Sequence, residues 1–379
     1  MTGIYIHIPF CKQACSYCDF YFSTRKQLID PFVEALIFEI ESYRDSAFTI
    51  NPVKTIYLGG GTPSLLNEHQ LTSIFEALNS VFRTDPEEVT IEVNPDDVSD
   101  QYLKMLIRLN VDRLSIGIQS FQEELLTFMH RAHNREEALK ALESIQNTGF
   151  PSFTADLIYG NPGQSVQMLE KDIQQLLHFD PPHISAYSLT VEPKTRLGKQ
   201  VELGRIRPPD DEAVAEHFDC VELMLKDGGL HRYEVSNFAK SGREAHHNSN
   251  YWNHQNYLGF GPSAHSFWWD KTSARRWNNR AELKQYLTKP VGSIVETNDI
   301  IPLHSLAEER LFLGLRTLWG VSETELRERY QYELSEPQLE WIHQQSVRGI
   351  VTFHNKILKM TGTGLKISDL LVVDLLSKK

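Results

Sequence analysis

Six short runs rich in β-branched and other apolar residues punctuate the first half of the chain, at residues 4–8, 55–58, 89–93, 114–118, 154–158 and 184–189. Between them lie stretches of helical periodicity, and strand–helix alternation of this kind predicts βα units around a parallel sheet. The first helix shows the local logic: Asp30 is suited to cap it, Pro31 suits its first position, and Phe32, Val33, Leu36, Ile37 and Ile40 form one apolar stripe. Asn67 followed by Gln70, Asn134 followed by Glu137, and Ser165 ahead of Met168, Leu169, Ile173 and Leu176 mark later helix starts. Six units are too few for a closed eight-stranded barrel. The expected fold is therefore α/β, an open (β/α)6 partial barrel with its chemistry at the C-terminal ends of the strands.

Beyond the sixth run the pattern predicts a helix over 214–225, a strand over 232–236, and an aromatic- and Asn-rich loop over 246–277. Helical patterns at 305–315, 323–330 and 336–347, followed by strand-like runs around Val351 and Leu358, suggest a small winged-helix-like α+β unit. The expected organisation is a barrel over 1–240, a connecting region over 241–289 and a C-terminal unit over 290–379. Hydrophobic content of 41% and charged content of 23% over 379 residues are those of a soluble globule. No apolar run could cross a bilayer, and the N-terminus lacks a basic stretch before an apolar core, so a cytoplasmic location is expected. The net charge of −12 is spread along the chain and speaks against non-specific nucleic-acid binding.

Three of the four cysteines, Cys11, Cys15 and Cys18, fall within eight residues directly after the first strand. Such crowding suits metal ligation in a reducing compartment better than a disulfide framework. Three thiolates can hold three irons of a [4Fe-4S] cubane and leave the fourth iron for a chelating ligand. The competing reading is zinc, which normally needs a fourth Cys or His; His7 is near but lies within the strand. After the second run come Gly59, Gly60 and Gly61, then Thr62 and Pro63, where backbone could approach a ligand closely. Glu92 stands at the end of the third run, where a carboxylate could accept from ribose hydroxyls. Gln119 follows the fourth with Arg131 shortly after, whose guanidinium suits a ligand carboxylate, and Asp156 lies inside the fifth, where a buried carboxylate needs a partner or a ligand.

The Cys-x3-Cys-x2-Cys spacing with Tyr17 beside the last cysteine resembles the radical SAM superfamily, whose members reduce S-adenosylmethionine (SAM) on such a cluster. The wider set IYIHIPFC, YLGGGTPS, IEVNP, LSIGIQSF, HRAHN, DLIYGNPGQ and GFGPSAHS resembles the oxygen-independent coproporphyrinogen III dehydrogenases and their heme-chaperone relatives, the HemW family. By that resemblance Tyr5, Gly60 and Glu92 contact the SAM on the cluster. Tyr17, Gly61, Thr62, Gln119, Arg131 and Asp156 match positions that contact a second SAM in the dehydrogenases, and Thr190 and His265 align with further nucleotide-contacting positions.

Two departures separate the chain from the dehydrogenases. Phe20 stands where they carry another cysteine, and the chain begins almost at its first strand. In the other direction, His247 to Trp252 match the HNxxYW motif of the HemW group, in which a neutral imidazole could ligate heme iron beside the flat surfaces of Tyr251 and Trp252. The resemblance thus implies a [4Fe-4S] cluster, SAM and heme as cofactors, with recipient heme proteins and an electron donor to the cluster as partners. Contact with membrane-bound recipients would be transient, and a homodimer is compatible with the sequence. The rival expectation is an enzyme that decarboxylates coproporphyrinogen III oxidatively.

Overall fold

In the computed structural model, which describes residues 2–270 and 272–378, the expected strands all form: β1 (Thr2–Ile8), β2 (Val53–Gly60), β3 (Thr84–Val93), β4 (Arg113–Gln119), β5 (Ser152–Tyr159) and β6 (His183–Ser188). They pair in parallel in chain order, β1 with β2 through to β5 with β6. The helices between them are α1 (Ile29–Glu41), α2 (Glu68–Val81), α3 (Asp100–Arg108), α4 (Glu123–Phe128), α5 (Arg135–Thr148) and α6 (Val166–Leu177). Capping boxes at Asn67/Gln70, Asn134/Glu137 and Ser165/Met168 start α2, α5 and α6 where the sequence placed them. Asp30 does not cap α1; it lies one residue inside the helix and accepts a hydrogen bond from Gln70 Nε2 at 2.5 Å.

Successive residues of a strand face opposite sides of the sheet, and here the two sides differ in chemistry. One side carries Ile4, Ile6, Ile8, Val89, Ile91, Leu114, Ile116 and Ile118, all buried in one core with Phe32, Val33, Leu36 and Ile40 of α1. The other carries Tyr57, Thr90, Glu92, Arg113, Ser115, Thr154, Asp156 and Ser185, which line a cavity. A sheet apolar under its helices and polar on its concave face holds a ligand rather than packed side chains.

After α7 (Arg196–Glu202) and α8 (Asp211–Asp227), the strand expected over 232–236 is instead a hairpin of β7 (His231–Arg232) and β8 (Asn237–Ala239). The buried Glu234 carboxylate accepts the Ser236 amide at 3.1 Å and turns the chain there, and β8 then pairs antiparallel with β6. The expected loop over 246–277 is also corrected. It folds into α9 (His246–Trp252), β9 (Asn256–Phe260), β10 (His265–Trp269) and β11 (Ser273–Asn279) because its aromatics are core residues, Phe260, Phe267 and Trp277 among them. β9 adds a parallel strand to the free edge of β1, and its turn into β10 depends on Gly259, where a Cβ would stand 2.1 Å from the His265 carbonyl oxygen.

After α10 (Leu283–Thr288), β12 (Val295–Pro302) pairs with β11, so the described residues make a twelve-stranded sheet in the order β12-β11-β10-β9-β1-β2-β3-β4-β5-β6-β8-β7. The sheet is open, its end strands β12 and β7 unjoined. We propose to draw the division at Pro302 rather than at residue 290, since β12 belongs to this sheet. Beyond it come α11 (Leu303–Gly314), β13 (Val321–Ser322), α12 (Glu323–Tyr330), α13 (Glu336–Val347), β14 (Val351–His354), β15 (Ile357–Met360), α14 (Gly362–Leu365) and α15 (Ser368–Ser377), with a three-stranded sheet ordered β13-β15-β14. Their core takes in Phe267, Ala274 and Ile301 of the large sheet. Among the described residues no helix is long and apolar enough to cross a membrane.

Candidate functional site

A cavity of about 520 Å³ opens at the C-terminal ends of the strands and runs down the concave face. Its wall includes Cys11, Cys15, Tyr17, Cys18, Gly60, Gly61, Thr62, Glu92, Gln119, Arg131, Asp156 and Thr190. Twelve expected site residues are thus brought together from the β1 loop, from β2 to β5 and the loops that follow them, and from the segment after β6.

The cysteine loop is held by its own contacts. Ser16 donates through Oγ to the Phe128 carbonyl at 3.0 Å and through its amide to that of Met129 at 3.0 Å, and the Leu197 amide donates to the Ser16 carbonyl at 2.8 Å. Lys12 forms an ion pair with Asp96 and Asp97, and Gln13 Nε2 donates to the His130 carbonyl at 2.8 Å. These tie the loop to the segments after β3 and α4, so the thiols are positioned by protein contacts. Burial pushes the Cys11 thiol up to about 11 and the Cys18 thiol up to about 12, so both are neutral unless a cation displaces the proton. Among the described residues no three His, Cys, Asp or Glu side chains converge on a single ion. A cubane does not require that, because each thiolate binds a different corner.

The glycines pack the β2 end against the rest of the site. A Cβ on Gly61 would meet the Phe10 and Ile8 carbonyls at 2.6 and 2.7 Å, and one on Gly60, at φ +104°, would meet the His7 ring at 2.4 Å. The Gly60 amide donates to Glu92 Oε2 at 2.9 Å, and Tyr57 donates to Glu92 Oε1 at 2.8 Å. Burial nonetheless raises Glu92 to about 7, and Asp156, hydrogen-bonded by Ser115 Oγ at 3.0 Å, to about 6. Arg131 is half-buried, with Nη1 3.3 Å from Cys15 Sγ and Nη2 donating to Asn94 Oδ1 and the Gly117 carbonyl, both at 3.0 Å.

Among the described residues, three buried polar atoms on this wall have no hydrogen-bond partner: Thr90 Oγ1, Gln119 Oε1 and Arg131 Nε. Buried polar groups are normally satisfied, so a polar ligand is the natural complement. The donor set therefore fits what the sequence implies, a cluster on three thiols with a hydrogen-bonding nucleotide beside it.

Three expected residues are not on the wall. Tyr5 is stacked on Tyr57 at 6.1 Å, its hydroxyl 3.1 Å from His7 Nδ1. His265 is exposed at the start of β10. His247 is 1% exposed, with Nδ1 2.9 Å from Thr55 Oγ1 and Nε2 2.8 Å from the Tyr251 hydroxyl. Its ring stacks on Tyr57 at 5.1 Å, and burial lowers it to about 3, so it is a neutral, fully bonded core imidazole. Tyr251 is likewise packed edge-on against Tyr257. Conversely, Thr90, Arg113, Ser115, Thr154 and Ser185 line the cavity without having been singled out. Thr90, Ser115, Thr154 and Ser185 carry the polar phase of alternation within the same runs, and Arg113 directly precedes the fourth.

Residues 5–176 match the Radical SAM superfamily. The heme chaperone HemW of Bacillus subtilis (strain 168) is 39% identical over 337 residues, covering 87% of this chain and 87% of that protein. This chain belongs to the HemW family. The HemW of Lactococcus lactis subsp. lactis (strain IL1403) is 35% identical over 322 residues, covering 84% of this chain and 83% of its own. The solved structure of coproporphyrinogen III oxidase, HemN, from Escherichia coli superimposes with a TM-score of 0.83 over 99% of this chain and 89% of that one, at 20% identity. This chain and HemN thus share a fold, and that likeness does not carry the oxidase reaction. At the mouth of the cavity Phe20 is 64% exposed.

Proposed function

We propose that this protein binds heme together with a [4Fe-4S] cluster and SAM, and delivers heme to recipient heme proteins. The observation that carries this reading is the 39% identity, over 87% of both chains, to a protein named as a heme chaperone. Cys11, Cys15 and Cys18 would hold the cluster. Gly60 and Glu92 would orient the SAM on it, and Tyr17, Gly61, Thr62, Gln119, Arg131, Asp156 and Thr190 form the polar wall around it, with Tyr5 supporting from beneath. When bound, the cluster would supply an electron and an open iron for the ligand's amine and carboxylate to chelate. The chain's own residues orient the nucleotide, exclude water from it and screen the thiolates with the Arg131 charge. An electron donor would reach the cluster from the mouth. Docking with recipient proteins in the cytoplasm needs no transmembrane segment, and a homodimer remains compatible with this surface.

His247 can reach a heme iron only if α9 gives up the bonds to Thr55 and Tyr251. We place heme capture by His247 in such a rearranged state, with a ring already neutral and free to ligate. The experiment pairs two assays on anaerobically reconstituted protein. Heme titration should give saturable binding, weakened in His247→Ala without loss of cluster absorbance. Coproporphyrinogen III with SAM and reductant should yield no protoporphyrinogen. Sustained turnover in the second assay, or no binding in the first, contradicts the proposal.

A further inference from the structure

The floor of the cavity carries a charge that the cluster and its SAM leave unexplained. Arg113 lies at the start of β4, six residues before Gln119, which at the rise of an extended strand is ~20 Å below the mouth. It is 4% exposed and lines the cavity with Thr90, Thr154, Ala245 and Asn248. Its Nη2 donates to Thr154 Oγ1 at 2.6 Å and its Nη1 to the Arg243 carbonyl at 3.4 Å. Among the described residues no carboxylate lies within ion-pairing distance of it.

The acids on which the Arg113 charge acts, Asp112 and Asp156, are not paired with it directly. Glu88 accepts the His246 and His247 amides at 2.8 and 3.0 Å, Asp112 accepts the Val89 amide at 2.9 Å, and Asp156 is held by Ser115. A guanidinium taken out of water without a directly paired counter-charge is costly, so such groups are rarely left alone. Thr90 stands directly opposite Arg113 in the β3–β4 register, and its buried hydroxyl, 1% exposed, has no partner. A planar cation, an orphaned hydroxyl, a second hydroxyl on Thr154 and the side chain of Asn248 together form a receptor for a carboxylate.

We propose that Arg113, with Thr90, Thr154 and Asn248, is a carboxylate-binding subsite at the floor of the cavity. A SAM whose amine and carboxylate are engaged on the cluster at the mouth cannot span the depth with that same carboxylate. The occupant is therefore a second organic acid or the carboxylate arm of a larger ligand lying along the cavity axis. Two sources share this chemistry, the methionyl carboxylate of another nucleotide and a porphyrin propionate.

The test uses the anaerobically reconstituted full chain and sodium propionate as probe, read as the rise in melting temperature against sodium chloride at equal ionic strength. Wild type and Arg113→Lys should be stabilised, and Arg113→Gln should bind propionate at least roughly tenfold more weakly. Thr154→Val, which frees the guanidinium from its anchor at nearly constant volume, should also weaken it and serves if Arg113→Gln does not fold. Further arms compare SAM with its decarboxylated form, and heme with its dimethyl ester. An Arg113→Gln penalty confined to the acid member of one pair assigns the subsite to that ligand. A penalty with propionate alone supports the subsite with another acid as occupant. No difference between wild type and the variants in the propionate arm overturns it, whatever heme binding shows.

Discussion

Single side chains carry most of the chemistry here, and several are carboxyl groups that burial pushes well above the usual carboxylate range. Glu39 of α1 is the clearest case away from the cavity. It accepts from Tyr286 at 2.6 Å, Asn279 at 2.6 Å and the Gly261 amide at 2.8 Å, yet burial raises it to about 7. A carboxyl group whose folded value lies above its unfolded one holds its proton longer in the folded state, so its contribution to stability falls as pH rises from about 4.5 through about 7. Glu39→Gln cannot lose a proton. Its stability relative to wild type should therefore rise between pH 5 and pH 8, by on the order of 3 kcal/mol. Urea unfolding at both pH values checks this, and a constant difference would contradict it. Glu92, Asp156 and Glu234 are shifted the same way and act equally in both proteins.

At the scale of elements, the site depends on turns placed after strands. The turn after β4 follows Gln119, which has φ +66°, and is held by Asp172 of α6. That carboxylate accepts from Ser120 Oγ, the Phe121 amide at 3.0 Å and Gln122 Nε2 at 2.8 Å. Asp172→Ala would leave two buried donors and one half-buried donor unpaired and should cost about 2–3 kcal/mol by urea unfolding. SAM affinity should fall with it, since Gln119 loses its support; a variant as stable as wild type would show that the turn holds itself. The six parallel strands were legible because their apolar phase is strong. Their polar phase was not read as a face, which is why Arg113 and Thr154 escaped notice while Glu92 and Asp156 did not. The 246–277 segment misleads for the converse reason: its His, Asn and Trp residues look loop-like, but β9 pairs with β1 and Leu258, Phe260, Phe267 and Trp277 are buried.

Across the whole molecule, the C-terminal unit is joined to the large sheet by one polar cluster as well as by apolar contact. Arg276 of β11 grips Glu309 of α11 bidentately at 2.9 and 2.6 Å, His254 Nε2 lies 3.3 Å from the same carboxylate, and Arg329 of α12 donates to the His254 carbonyl at 2.9 Å. Glu309→Ala should weaken this joint by about 1 kcal/mol, the scale of a half-exposed pair. Hydrogen exchange should quicken in α11 and α12 while β1 to β6 keep their protection; uniform acceleration would contradict a local role. The cysteine triplet and its place after β1 were readable from spacing alone, whereas the positions of Tyr5, His247 and His265 were not, because motif matching does not say which way a side chain faces.

The account turns on three thiols leaving one iron open to SAM at the mouth of this cavity. Its most direct test is electron paramagnetic resonance of the anaerobically reconstituted, chemically reduced protein before and after SAM is added. A reduced [4Fe-4S] signal that changes on addition, and is absent in Cys15→Ala, is expected. A protein that carries zinc, or a cluster signal that SAM leaves unchanged, would contradict the account.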